Sequence, residues 1–197
     1  MSELLLLSGG IDSAAVAAWR RPALCLTIDY GQKSARAESQ ASKQICADLN
    51  LQHKVGTWRI SELGAGDMSS NETSLHSTHT EFWPFRNQYL ITMAAMVAIK
   101  EGCRSLLIGT VLTDSRHRDG SLDFVSALDH VLSLQEGEIR LDAPAVSLTS
   151  TELIRLSGIQ PSTLGWTHSC HVSDFACGKC RGCQKHSEVM SSLGLYR

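Results

Sequence analysis

Leu4-Leu5-Leu6-Leu7-Ser8-Gly9-Gly10-Ile11-Asp12-Ser13-Ala14 opens the chain with an apolar run that stops on two glycines and resumes on small residues. Leu4–Leu7 reads as a short, buried parallel strand, and Asp12-Ser13 followed by Ala14, Ala15, Val16, Ala17 and Ala18 as the start of a helix. A strand, a tight turn and a helix start in close succession aim several backbone N–H groups at one point, where the helix dipole favours negative charge. Glycine permits the tight turn and a close approach to an anion. Ser8 and Ser13 add hydroxyl donors, and Asp12 can hold a magnesium ion beside the anion. The expected phosphate cradle is Leu7, Ser8, Gly9, Gly10, Ile11, Asp12 and Ser13. The plainer reading is an ordinary strand-to-helix turn with Asp12 or Ser13 as N-cap. The stretch has neither the Gly-Lys-Ser/Thr ending of a Walker A loop nor the dinucleotide fingerprint.

The 197 residues, 43% of them hydrophobic, suit one core with a small appendage. No apolar run nears the ~20 residues that cross a bilayer. The opening Met1-Ser2-Glu3-Leu4 lacks the basic flank of a signal peptide, so the expected location is cytoplasmic. Eighteen basic against twenty acidic residues leave a net charge of −2. That balance argues against a salt-driven nucleic-acid groove and for a small substrate. Seven cysteines in a cytosolic chain point to metal ligands or reactive thiols before disulfides.

Further along, Ala23–Asp29 reads as a second strand ending at Tyr30-Gly31-Gln32, and about 33–49 as a helix with Ala37, Ala41, Ile45 and Leu49 on one face. His53–Trp58 suits a third strand. Strand–helix–strand repetition predicts an α/β fold with a parallel sheet and right-handed crossovers, and a ligand at the strands' carboxyl ends beside Asp29 and Tyr30. Residues 61–85 show no periodicity and read as a lid, a partner-binding segment or a disordered loop. A helix over 87–101 carries Leu90, Met93, Ala94 and Val97 as its core stripe and ends at Gly102. Ser105–Val111 reads as a strongly apolar strand. Arg86, Asn87, Gly109 and Asp114 fall where strand and helix ends meet the site; the plainer reading is a capping Asn87 and a solvated Arg86. Phe124, Ala127, Leu128 and Val131 mark another helix, 138–142 a last strand, and Thr149 with Glu152 a capping box.

The tail holds Cys170, Cys177, Cys180 and Cys183. Consecutive C-x-x-C turns let successive thiolates face one ion, and four soft ligands with tetrahedral closure fit structural zinc. An iron–sulfur cluster also uses four cysteines, and His168, His171 and His186 are the candidate substitutes for one of them. Residues 1–165 are thus expected to form the nucleotide-binding domain, and 166–197 a zinc-binding segment packed on it. Cys25, Cys46 and Cys103 read as core fillers.

The Ser8–Ser13 loop resembles the S-G-G-x-D-S motif of the PP-loop ATP pyrophosphatases, which implies their HUP-like (adenine nucleotide alpha hydrolase) fold. Together with Asp29-Tyr30-Gly31-Gln32, Pro84-x-Arg86-Asn87, Ile108-Gly109, Asp114, Trp166-Thr167-x-Ser169-Cys170 and the cysteine tail, it is similar to the 7-cyano-7-deazaguanine synthase (QueC) family over nearly the whole chain. The resemblance implies ATP, Mg2+ and Zn2+, and an ATP-dependent ligase. Such an enzyme works in two ATP-dependent stages. It adenylates 7-carboxy-7-deazaguanine and passes it to ammonia to give the amide, and a second activation removes water to give the nitrile. AMP and pyrophosphate leave with the activation steps. It implies catalytic roles for Asp12, Ser13, Arg86 and Asp114, nucleotide contacts from the loop with Asp29, Tyr30 and Gly109, and substrate contacts from Arg86, Asn87, Asp119 and Trp166. Family members are often homodimers. The chain departs from the pattern at Ser115–Ser121, where a family arginine is lost, and at Thr149-Ser150, where a lysine is expected. Arg116 or Arg118 are the candidate replacements. Two other functions are compatible with these residues. One is a QueC-like conjugating enzyme that couples a deazaguanine acyl group to a protein partner in antiviral defence. The other is a non-catalytic nucleotide-binding module.

Overall fold

Leu4 and Leu5 are fully buried because the first strand lies at the centre of the sheet, covered on both faces. The computed structural model describes residues 2–195. Its strands β1 (Glu3–Leu6), β2 (Leu24–Asp29), β3 (His53–Thr57), β4 (Ser105–Leu107) and β5 (Arg140–Asp142) are all parallel, in the order β3-β2-β1-β4-β5. In register, Leu5 faces Cys25 on one side and Leu107 on the other. From β1 the chain steps outward through β2 and β3, then crosses back to β4 and β5. The direction therefore reverses between β1 and β4, and a crevice opens there at the strands' carboxyl ends.

Side chains alternate between the two faces, as the pleat requires. Leu5 and Leu7 pack with α1 (Ile11–Arg20), α2 (Ala35–Leu49), α5 (Ser150–Ser157) and Val189 and Met190 of α7 (Arg181–Ser192). Leu4 packs on the opposite face with α3 (Arg86–Lys100) and α4 (Leu122–Ser133). A short helix, α6 (Pro161–Leu164), leads into the cysteine segment. No helix among the described residues is long and apolar enough to cross a membrane.

Four local expectations change. The strand expected over Ser105–Val111 stops at Leu107, because the chain leaves the sheet to run against the start of α1. The buried seam of α3 is Ile91, Ala94, Ala95 and Ala98, with Leu90, Met93 and Val97 on its flank; alanines let the helix lie close to the sheet. In α4, Val125, Leu128 and Leu132 face inward, whereas Ala127 and Val131 are exposed. The aperiodic 61–85 segment contains two single 3-10 turns, Ser61–Leu63 and Gly66–Met68, and is tied back on itself by Asp67 N–H donating to Thr80 O at 2.8 Å. Its Trp83 is buried edge-on against Tyr30, with ring centroids 5.1 Å apart. The Thr149–Glu152 capping box is present at the start of α5.

Candidate functional site

The end of β1 is held by hydroxyls: Thr27 Oγ1 and Ser42 Oγ both donate to Leu7 O, at 2.7 and 3.2 Å. Gly9 then turns the chain at φ +76°, and its carbonyl accepts a hydrogen bond from His168 N–H at 2.8 Å. The N-cap of α1 is Gly10, in extended conformation and with no side chain capping the helix. Asp12 and Ser13 therefore stand second and third inside the helix, which corrects the plainer reading in which one of them capped it. The first-turn N–H groups have no intrahelical acceptor, and here they open toward the cavity. Ser8 Oγ and Ser13 Oγ lie 3.1 Å apart beside them. Gly109 approaches so closely that a Cβ there would sit 2.9 Å from Ser13 Cα.

These groups line a cavity of about 370 Å³ at the crevice between β1 and β4. It falls within the ~300–1,000 Å³ range of small-molecule sites. The fold brings to it Leu7, Ser8, Gly10, Ile11, Asp12 and Ser13 from the loop, Tyr30 from the end of β2, and Gly109 and Asp114 beyond β4. Arg86, Asn87 and Asp119 line it as well. Gly9 contributes the turn without lining the cavity. Two expected residues lie elsewhere. Asp29 is ion-paired with Arg59 at 2.8 Å and accepts from Gly31 N–H. Trp166 is half-exposed and donates from Nε1 to Asp48 at 3.0 Å.

Charge is concentrated on the loop side. Lys185 of α7 places Nζ 2.8 Å from Asp12 Oδ2 and 3.1 Å from Asp114 Oδ1. Burial alone would lower the lysine's pKa, but the two carboxylates outweigh it and hold the ammonium charged, above its usual range. Burial pushes the Asp12 carboxyl up, opposed by Lys185. Asp12 Oδ1 is buried without a hydrogen-bond partner. On the far wall Arg86 donates to Asn87 Oδ1 at 3.1–3.2 Å, and Asn87 in turn donates to Asp119 O. Glu38, raised by burial, is held by Ser34 and Gln32. Burial would raise the Glu81 carboxyl, but a hydrogen bond from its own backbone N–H, then Arg116 at 3.1 Å and His117 at 3.3 Å, keep it below the usual range.

Sequence reasoning missed Lys185, Glu38 and Glu81. Lys185 follows Cys183 by one intervening residue, and its reach to Asp12 depends on how α7 docks. Ser150, one of the two residues (Thr149-Ser150) where the family resemblance expects a lysine, lies near Asp12. The cation beside Asp12 thus comes from a different element. Arg116 does line the cavity, as anticipated for a replacement cation, but it is engaged with Glu81.

The sulfurs of Cys170, Cys177, Cys180 and Cys183 all lie within 4.8 Å of one another. Cys180 and Lys179 N–H groups donate to Cys177 Sγ at 3.3 and 3.5 Å, which lowers that thiol to about 6. The candidate histidine substitutes are not part of this cluster. His186 meets Ser169 Oγ at 3.1 Å, and His168 meets Ser173 O at 3.0 Å. His171 lines the cavity, where burial and then the charge of Arg86 pull it down to about 4. A side chain at Gly182 would strike both Ser169 O and the His171 ring, so glycine lets α7 lie against this turn.

A five-stranded parallel sheet with an uncapped, serine-flanked helix start at its switch point, and a four-cysteine knot beside it, defines a PP-loop α/β protein. The fold aligns with the U34-tRNA thiolase NcsA from Methanococcus maripaludis with its [4Fe-4S] cluster at a TM-score of 0.53 and 17% identity, over 98% of this chain and 64% of that one. Residues 2–194 match the family model of queuosine biosynthesis protein QueC. Proteins named 7-cyano-7-deazaguanine synthase align almost end to end. The Stutzerimonas stutzeri protein is 30% identical over 98% of this chain and 94% of its own, and the one from Methanosarcina mazei 24% identical over 99% and 96%. A synthase 1 from Sulfurisphaera tokodaii is 30% identical over 99% and 95%. The chain belongs to the QueC family and is an enzyme of that family.

Proposed function

We propose that the chain activates a carboxylate with ATP and passes the acyl group to ammonia, its substrate being 7-carboxy-7-deazaguanine and its product the amide and then 7-cyano-7-deazaguanine. The observation that carries this reading is the uncapped start of α1, which opens with Ser8 and Ser13 into the cavity at the β1–β4 crevice. A carboxylate does not react with ammonia until one oxygen becomes a leaving group. Attack of that oxygen on the α-phosphorus forms the acyl-adenylate bond and breaks the bond to the bridging oxygen, and pyrophosphate leaves. The chain's work is to position the reactants and neutralise charge. Ser8, Gly10 and the first-turn N–H groups are placed to receive the departing pyrophosphate. Arg86 and Asn87, on the opposite wall, suit the acid and the purine-type ring. The buried, unpartnered Asp12 Oδ1 with Asp114 nearby fits a divalent cation. Such an ion, when bound, offsets charge on the leaving group.

Four thiolates would close a tetrahedral zinc site with no open position, and thus a structural one. With Zn–S bonds of about 2.3 Å the sulfurs of a tetrahedron stand about 3.8 Å apart, and Cys177–Cys183 and Cys170–Cys180 are each at 3.9 Å. A four-iron cluster holds each cysteine on a different iron and needs wider spacing. The donor set therefore favours a single ion.

The test is incubation with ATP, Mg2+, ammonia and 7-carboxy-7-deazaguanine, following AMP, pyrophosphate and the nitrile by chromatography. AMP release that depends on the acid, and is abolished by Asp12→Ala, is the expected result. AMP formed equally without the acid would refute the substrate assignment, and no AMP at all would refute the activation chemistry.

A further inference from the structure

Lys185 is the one lysine among the described residues lining the cavity. Its ammonium bridges two carboxylates that come from opposite sides of the crevice, Asp12 from the phosphate loop and Asp114 from the turn after β4. The arrangement is charge-unbalanced, since one cation faces two carboxylates in a part-buried setting and Asp12 Oδ1 is still unpartnered. A polyphosphate entering this loop would meet net negative charge unless more positive charge arrives with it. The arginines that line the cavity already have partners: Arg86 is held by Asn87 and Arg116 by Glu81, and Arg181 lies 3.7 Å from Glu188. Lys185 differs in kind. Its four-carbon stem is flexible, its three donors rotate freely, and its carboxylate partners are the groups a divalent cation would claim.

We propose that Lys185 is a polyphosphate-contacting residue of this site, whose ammonium spans Asp12 and Asp114 before nucleotide arrives and turns to the phosphates as a divalent cation takes its place. This rests on the ATP-dependent reading above. The exchange adds positive charge at the crevice to meet the incoming phosphates: a divalent cation replaces a monovalent one between the carboxylates, and the displaced ammonium faces the phosphate oxygens. The Cα of Lys185 is fixed by the helix that carries it. Cys180 is the N-cap of α7, Cys183 lies in its first turn, and Val189 and Met190 anchor its far end in the core. Only the side chain has to move.

Calorimetric titration of the full chain with Mg2+ and either a non-hydrolysable ATP analogue or adenosine separates the possibilities. Wild type, Lys185→Met and Lys185→Arg are compared. The methionine variant is expected to lose analogue affinity by about 10- to 100-fold, the worth of a charge-assisted contact, while adenosine affinity is unchanged. Arginine restores most of the loss. Melting without nucleotide gives a second readout. Lys185→Met, with its carboxylates left unneutralised, is expected to melt lower in chelator and to recover on adding Mg2+, whereas wild type barely responds. A merely structural lysine would lower the melting temperature without separating analogue from adenosine and without rescue by Mg2+. Equal analogue affinity in wild type and Lys185→Met overturns the inference and leaves the ATP reading standing. Wild type that binds no analogue removes both. If neither variant folds, a structure of the wild-type complex decides. Nζ within about 3.2 Å of a phosphate oxygen upholds the exchange, and Nζ still on Asp12 and Asp114 refutes it.

Discussion

Gly9→Ala isolates the turn on which the phosphate loop depends. Gly9 has φ +76°, a region that costs a residue with a side chain roughly 1–2 kcal/mol. The added Cβ would also sit 2.7 Å from the carbonyl oxygen of Glu38 and 3.1 Å from both Ala41 Cβ and Ser42 Oγ. Ordinary C···O approach is about 3.3–3.6 Å. The loop or α2 must therefore retreat by roughly 0.6–0.9 Å, and Glu38 O is backbone inside a helix, so it cannot simply rotate away. Overpacking of this kind costs about 1–3 kcal/mol. Strain and clash together predict a loss of about 2–5 kcal/mol, which for a chain of this size lowers the melting temperature on the order of 4–20 °C. Urea unfolding followed by circular dichroism, with a thermal melt alongside, measures it; the midpoint should fall with the slope unchanged. A retreating loop also moves Gly9 O away from His168 N–H and displaces Gly10 at the start of α1, so nucleotide affinity should fall as well. A stability change under about 0.5 kcal/mol, the size of an ordinary surface substitution, would refute the tight-turn reasoning.

The remaining predictions concern groups around that loop. Metal analysis of the purified chain should find one zinc per chain and no visible absorption. Cys183→Ser should lose the metal and melt well below wild type, and a coloured iron–sulfur protein would refute the single-ion reading. Glu38, whose carboxyl is raised by burial above its ordinary value of 4.5, contributes stability that is full below that pH and is lost as pH rises through the folded value. Glu38→Gln should therefore gain stability relative to wild type from about pH 4.5 upward, read as the difference in urea midpoints; a pH-independent difference would refute it. Asp29→Asn removes an exposed ion pair outside the cavity, so nucleotide affinity should stay within about twofold of wild type by calorimetry. A tenfold loss would give Asp29 a role at the site.

The strand–turn–helix at the start of the chain was legible because its signals are local. An apolar run, two glycines and a run of alanines each restrict the backbone without help from the rest of the chain. The four cysteines were legible for the same reason, since their spacing is itself the constraint. Side-chain facing was read less well. Periodicity placed α3 and α4 correctly but rotated their buried seams. In α3 an alanine-rich face lies on the sheet in place of the larger Leu90, Met93 and Val97 that draw the eye, and in α4 the seam is Val125, Leu128 and Leu132 while Ala127 and Val131 face out. The early end of β4 was hidden in an unbroken apolar string, where Ile108 N–H still donates to Asp142 O at 3.0 Å and Val111 is buried beyond the strand's end. Asp29 and Trp166 show the limit of position along a strand or motif. Both lie near the expected end of the molecule, yet Arg59 and Asp48, which no local pattern links to them, draw their side chains aside. Lys185 illustrates the converse, a group made functional in position only by a contact across more than 170 residues of chain.

That long-range contact gives the cysteine knot a physical purpose at a distance from the chemistry. His168 N–H holds the carbonyl of Gly9, Ser169 meets His186, and Lys185 reaches Asp12, so residues 168–186 wrap the outer side of the phosphate loop. Without a clamp, ordering this glycine-containing segment would cost roughly 1–2 kcal/mol of backbone entropy per residue. The local core there is small, comprising little beyond the cysteines and Val172. A closed metal site is suited to offset that entropy, because ligand binding free energy becomes folding free energy in a segment too short to bury much apolar surface. On this view the ion needs no contact with substrate. It fixes where α7 begins, the apolar contacts of Val189 and Met190 fix where the helix points, and the two together put a lysine against Asp12 of a loop formed at the other end of the chain and against Asp114 beyond β4.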